Sequence, residues 1–189
     1  MQKLNYKHYP DGSGYPLIED INGSPVIRKI DSYQDLWYLN QEIDTIKNIN
    51  GPLYRPTYII PNLIDAQADR RFESNSTAGL KLVCKFLNGL DVNFKIFHPH
   101  NQEVVEALID NVEIIDNSYF IKEVISEIYC ETKGIRRNLG KFYHNRDNVD
   151  LILMSSDAGG YKPLMKLCDK LNWQDETYSA SKSRSYVDG

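Results

Sequence analysis

Four short stretches carry residues suited to phosphate and metal chemistry. Ser155-Ser156-Asp157-Ala158-Gly159-Gly160 sets a carboxylate before two glycines. Glycines let backbone N–H groups approach an anion, and a helix N-terminus at that point favours negative charge. Asp157 there suits a magnesium ion that itself carries phosphates. It suits equally a capping role in a tight strand-to-helix turn. His98-Pro99-His100-Asn101 places two histidines one residue apart. By themselves they favour zinc or copper over magnesium, which prefers oxygen donors. The same residues also read as a solvated loop with Asn101 capping a helix. Asp65-Ala66-Gln67-Ala68-Asp69-Arg70-Arg71 ends in two arginines. Their planar forks match phosphate oxygens, and they also fit a charged surface turn. Lys182 and Arg184 are spaced K-x-R in a polar tail. Such residues can close over a transferring phosphoryl group, or simply belong to a basic tail.

These stretches need elements to hold them. A turn cluster, Pro10-Asp11-Gly12-Ser13-Gly14, opens the chain, and Asn22-Gly23 reads as a hairpin. Residues 25–30 look like a strand. Ser32, with Asp35 three positions on, begins a helix whose apolar residues are Leu36, Leu39, Ile43 and Ile46. Strands follow at 57–60, 94–97, 112–115 and 150–154, each a short apolar run. Between them lie helices carrying Leu80, Val83, Phe86 and Leu87 after a Thr77 cap, then residues 102–109, then Ile121, Val124, Ile125 and Ile128. Lys133 opens a basic stretch reaching Asn148, with Arg136, Arg137, Lys141 and Arg146. A last helix carries Leu164, Leu167 and Leu171. The tail shows no core pattern beyond Thr177-Tyr178. Strands alternating with helices predict an α/β fold with a parallel sheet. Ligands gather at the carboxyl ends of such strands, which brings forward the loops at 61–71, 98–101 and 155–160.

Composition narrows the classes. The chain has 189 residues, 41% of them hydrophobic, and a net charge of -4. Such a chain buries a real core. The mild acidity leaves no footprint for nucleic acid or for an anionic membrane. No apolar run approaches the roughly 18–20 residues that span a bilayer. The first residues lack the apolar segment of a secretory signal. Cys84, Cys130 and Cys168 are scattered and read as core residues of a protein in a reducing cytosol. A cytoplasmic location is therefore expected.

Taken in order, the motifs resemble those of the ribose-phosphate diphosphokinases, the phosphoribosyl pyrophosphate synthetases. Tyr9-Pro10-Asp11-Gly12-Ser13 looks like the family's F-x-D-G-E nucleotide loop. Residues 60–71, from Ile60-Pro61-Asn62 to Asp69-Arg70-Arg71, look like its I-P-Y-x-P-Y-A-R-Q-D-R-R segment. Phe97-His98-Pro99-His100-Asn101 is similar to its D-x-H-S metal loop, and residues 155–160 to V-S-P-D-A-G-G. The resemblance implies two phosphoribosyltransferase-like halves, here residues 1–148 and the beginning of a second, incomplete domain over 149–189. It implies transfer of diphosphate from ATP to the 1-hydroxyl of ribose 5-phosphate, or of a related ribosyl phosphate such as ADP-ribose, with Mg2+. His100 and Asp157 match metal positions. Tyr9, Asp11, Ser13, Gln67, Asp69 and Arg70 match nucleotide positions. Gly159 and Gly160 match the phosphate turn, and Lys182 and Arg184 fall near a catalytic basic loop. A homo-oligomer or a complementing C-terminal subunit is the implied partner.

The departures matter. The family's Arg-Gln pair is Gln67-Ala68 here, its nucleotide-loop glutamate is Ser13, and its metal-loop aspartate is His98. Each change removes a polar contact typically worth about 1–3 kcal/mol. The family's acidic, glycine-rich ribose-phosphate loop does not occur in these residues. The expectation is a chain that stops short of the complete fold, with the strand at 150–154 either lacking neighbours or joining the first sheet. Three functions remain open: a divergent diphosphokinase, a non-catalytic homologue that binds or regulates a complete synthetase, and a small anion- or nucleotide-binding protein.

Overall fold

The computed structural model describes residues 5–18, 25–71, 73–136, 151–173 and 176–181. The chain divides into two compact units, Met1–Asp116 and Asn117–Gly189. Each is described by itself.

The first unit opens with an antiparallel hairpin of β1 (Asn5–His8) and β2 (Gly14–Leu17). Its turn is the Pro10–Gly14 cluster: Tyr9 N–H donates to Ser13 O at 2.7 Å, and Gly12 supplies a φ of 85°. That left-handed angle is one glycine adopts freely. The hairpin expected at Asn22-Gly23 lies outside the described residues. β3 is only Val26–Ile27, shorter than the expected 25–30, and Ile30 forms an isolated bridge to Leu63.

Helix α1 (Tyr33–Asn50) begins on the expected capping box. Ser32 Oγ accepts from Asp35 N–H, and the Asp35 carboxylate accepts from Ser32 N–H at 2.8 Å. Its stripe of Leu36, Leu39, Ile43 and Ile46 is buried. The hairpin is fastened to this helix. Tyr6 Oη donates to Tyr38 O at 3.2 Å, and Gln41 Nε2 donates to Gly14 O at 2.8 Å.

β4 (Thr57–Ile60), β5 (Asn93–Phe97) and β6 (Val112–Ile115) complete a parallel sheet of order β3-β4-β5-β6. Tyr58, Ile60, Phe94 and Ile96 point into its core. α1 crosses from β3 to β4, and α2 (Gly79–Asn88) and α3 (Gln102–Leu108) are the next two crossovers. α2 starts at Ala78 without a side-chain cap, not at Thr77. Its inner face is Leu80, Val83, Cys84 and Leu87, a 3–4 spacing that turns Phe86 outward to 37% exposure. Arg28 forms a bidentate pair with the buried Glu42 at 2.9 and 2.8 Å.

The second unit holds α4 (Ser118–Lys133), β7 (Leu153–Ser155), a 3-10 turn (Ala158–Gly160), α5 (Tyr161–Leu171) and β8 (Thr177–Ser179). Ile125, Leu164, Cys168, Leu171 and Trp173 form its core, with Leu151 and Leu153 packed against them. β7 pairs in parallel with β8, Met154 opposite Tyr178, in a two-stranded sheet separate from the first. The strand expected over 150–154 thus neither lacks a neighbour nor joins the larger sheet. The boundary expected from the sequence lies at 148/149. The compact units part between Asp116 and Asn117, because Ile121 and Ile125 of α4 pack with α5. Most of the basic stretch, residues 137–148, lies outside the described residues.

The three cysteines are free and buried, as core residues should be, and burial pushes the Cys84 thiol up to about 11. No described helix is long and apolar enough to cross a membrane.

Candidate functional site

Parallel β4 and β5 lie side by side, Ile60 opposite Ile96, so the loops leaving their carboxyl ends are neighbours. A side-chain bond joins them: Asn101 Nδ2 donates to Asp69 Oδ2 at 2.7 Å. The same Asn101 caps α3, its Oδ1 accepting from Val104 N–H at 3.2 Å. The Asn101 bond, with smaller help from the Arg70 and His100 charges, holds the Asp69 carboxyl below the usual range. Asp69, Arg70, His100 and Asn101 therefore form one electrostatic neighbourhood. Gln67 sits on the same loop and is exposed.

The backbone here is held in uncommon conformations. His98 has φ 36° and Asp65 φ 58°. Held conformations of this kind gather where a site must be shaped in advance. His98 N–H donates to Ile115 O at 2.8 Å, carrying the β5–β6 pairing just past the strand. His98 and His100 are both exposed. Among the described residues, no group of three or more histidine, cysteine or carboxylate side chains is arranged to hold a metal, so the zinc or copper reading of the histidine pair finds no third ligand.

At the hairpin tip, Tyr9, Asp11 and Ser13 come together. Asp11 Oδ1 accepts from Ser13 N–H at 2.9 Å and Ser13 Oγ at 2.6 Å, and these bonds lower the Asp11 carboxyl. Ser13 thus has a local duty that holds Asp11. Tyr9 is 55% exposed and lies against Tyr15, ring centroids 5.6 Å apart.

In the second unit, Asp157 caps the 3-10 turn, its Oδ1 accepting from Gly160 N–H at 3.0 Å. The buried Ser155 Oγ donates within this loop to Asp157 O at 2.9 Å and meets Ser179 Oγ at 2.8 Å. That ties β8 to the loop. The turn is close-packed: a Cβ on Gly159 would stand 3.2 Å from Asp157 Oδ1, and one on Gly160 would stand 3.3 Å from Ser155 Cβ. The capping reading of Asp157 holds, and its second oxygen is not used by the cap. His100 belongs to the first unit and Asp157 to the second. Lys182 and Arg184 lie outside the described residues.

Tyr33, which no motif marks in the sequence, meets Asp65 of the 65–71 loop. Tyr33 Oη donates to Asp65 Oδ2 at 2.7 Å. The available signal was weak: aspartate tolerates the left-handed backbone better than most residues.

No family model matches the sequence, and no curated protein matches it. Among solved structures, the chain is similar to the crystal structure of phosphoribosylpyrophosphate synthetase from Mycobacterium smegmatis. The TM-score is 0.70 at 16% identity, over 97% of this chain and 57% of that one. The class is therefore an α/β fold, a phosphoribosyltransferase-like parallel sheet flanked by helices. More closely, it is a phosphoribosylpyrophosphate-synthetase-like fold, of which this chain spans little more than half the length of the solved structure.

Proposed function

We propose that the chain serves diphosphate transfer from ATP to the 1-hydroxyl of ribose 5-phosphate or a related ribosyl phosphate such as ADP-ribose. The observation that supports it is the Asn101–Asp69 bond. It joins the two loops at the ligand-binding end of a synthetase-like sheet, with Arg70 and His100 acting on Asp69. In the reaction, the 1-hydroxyl oxygen bonds to the β-phosphorus of ATP, the bond from that phosphorus to the bridging α–β oxygen breaks, and AMP leaves. The hydroxyl proton passes to solvent or a nearby base.

In this reading Arg70 faces phosphate oxygens, and Gln67 and Asp69 take part in holding the nucleotide. Tyr9, Asp11 and Ser13, at an exposed hairpin tip, serve the nucleotide of a neighbouring copy. Gly159 offers its backbone N–H to phosphate, while Gly160, whose N–H is taken by Asp157, serves the close-packed phosphate turn. Lys182 and Arg184 are assigned to the transferring phosphoryl group. Magnesium, when bound, would neutralise phosphate charge. Its preference for oxygen fits the unused oxygen of Asp157 well and the nitrogen of His100 less well. With so few protein donors, the ion would come mainly with its nucleotide. The partner is another copy of the chain or a complementing subunit.

One feature favours a second reading, a non-catalytic homologue that binds or regulates a complete synthetase. The exposed Gln67, beside Ala68, offers no charge to ATP where the family has arginine. The experiment is AMP release from ATP with magnesium and either ribose 5-phosphate or ADP-ribose, with the chain alone and with a complementing synthetase half. AMP release dependent on the ribosyl phosphate is expected. A folded protein that releases none in any combination, yet co-purifies with an intact synthetase, overturns the first reading for the second.

A further inference from the structure

We propose that Asp65 is a sugar-reading carboxylate, set to accept the ribose hydroxyls of a bound nucleotide; this rests on the nucleotide-binding reading above. Asp65 follows β4 at the carboxyl end of the sheet, on the loop that carries Gln67, Asp69 and Arg70. Its side chain is held on two sides. Tyr33, the first residue of α1, donates to Oδ2 at 2.7 Å. Against the same oxygen, a Cβ at position 79 would lie 2.4 Å from Oδ2 and 2.7 Å from Cγ, so the carboxylate rests against the start of α2 in a space only glycine leaves. The backbone beneath it is left-handed, φ 58°. This carboxylate is positioned before any ligand arrives.

Its free valence says what it would take. Asp65 is half-exposed, and among the described residues Oδ1 accepts no protein hydrogen bond. An ionised carboxylate only accepts, so it repels phosphate and seeks donors. No described cluster of three potential ligands makes it part of a metal cage. On a nucleotide, the vicinal ribose hydroxyls are donors that suit this carboxylate fork: one reaches the free Oδ1 through a short charge-assisted bond, beside the Oδ2 that Tyr33 holds. The Tyr33 ring, 64% exposed, adds an apolar wall beside that fork. The residue bears on specificity: a sugar with both hydroxyls is favoured over one without them.

The test is calorimetric titration of the full chain with magnesium ATP and with magnesium 2′,3′-dideoxy-ATP, for the wild type, Asp65→Asn and Tyr33→Phe. The wild type should prefer ATP by about tenfold, the worth of one charge-assisted hydrogen bond. Asp65→Asn keeps the shape and an oxygen for Tyr33, and should lose that preference. Tyr33→Phe should lose part of it by freeing the carboxylate, with an unchanged melting temperature. Should Asp65→Asn fail to fold, Tyr33→Phe carries the test, and an undiminished preference in that variant overturns the assignment. A wild-type preference kept in full by a folded Asp65→Asn overturns it while leaving the nucleotide reading intact. A wild type that binds neither nucleotide overturns both.

Discussion

Asn101 stands between two tasks: its amide nitrogen donates to Asp69 at 2.7 Å while its oxygen caps Val104 N–H at 3.2 Å. One residue thus starts α3 and closes the candidate site. Asn101→Ala removes both bonds and should cost about 1–2 kcal/mol in urea denaturation. The loss should depend on pH. Asp69 has a folded-state pKa below its unfolded value, so its contribution is present above the unfolded value, near about 4. It fades as pH falls through the folded value. The gap between wild type and Asn101→Ala should therefore narrow in acid.

Arg28 and Glu42 present the opposite sign. Burial raises the Glu42 carboxyl, and the Arg28 bonds only partly offset this. A raised carboxyl is favoured in its protonated form, so its contribution is fully present below the unfolded value. It is lost as pH rises through the folded value. Wild-type stability measured against Glu42→Gln should decline across that window. Arg28→Ala leaves a buried carboxylate without its partner and should cost about 3–5 kcal/mol. An Arg28→Met, Glu42→Leu double variant should recover most of it.

Gly79 and Asp65 form a steric pair. A methyl at 79 meets the Asp65 carboxylate at 2.4 Å, so Gly79→Ala should destabilise by about 1–3 kcal/mol through overpacking. Asp65→Gly removes the obstacle and suits the left-handed backbone. The double variant should be clearly more stable than the sum of single effects, a coupling that thermal melts of the four-protein cycle would measure.

Asp157 separates capping from charge. Asp157→Asn keeps an oxygen for Gly160 N–H and should hold stability within about 0.5 kcal/mol, since asparagine caps as well as aspartate. It should still weaken magnesium-nucleotide binding if the carboxylate serves a metal. Asp157→Ala should lose about 1 kcal/mol as well. Identical nucleotide titrations for wild type and Asp157→Asn would remove Asp157 from the metal site.

Local pattern in the sequence determined the elements. The Ser32–Asp35 box and the stripe of Leu36, Leu39, Ile43 and Ile46 define α1 because capping and helical periodicity act over a few residues. The short apolar runs at 57–60 and 112–115 became β4 and β6, and Asn101 became a cap. Tertiary structure alone decided which loops meet. Asp69 finds Asn101 and Asp65 finds Tyr33 across 32 residues of chain in each case. Those distances depend on strand order and on where each crossover helix lands. The pairing of β7 with β8 was decided in the same way. Thr177-Tyr178 is too short to declare itself, and becomes a strand because the polar edge of β7 needs partners for its backbone groups.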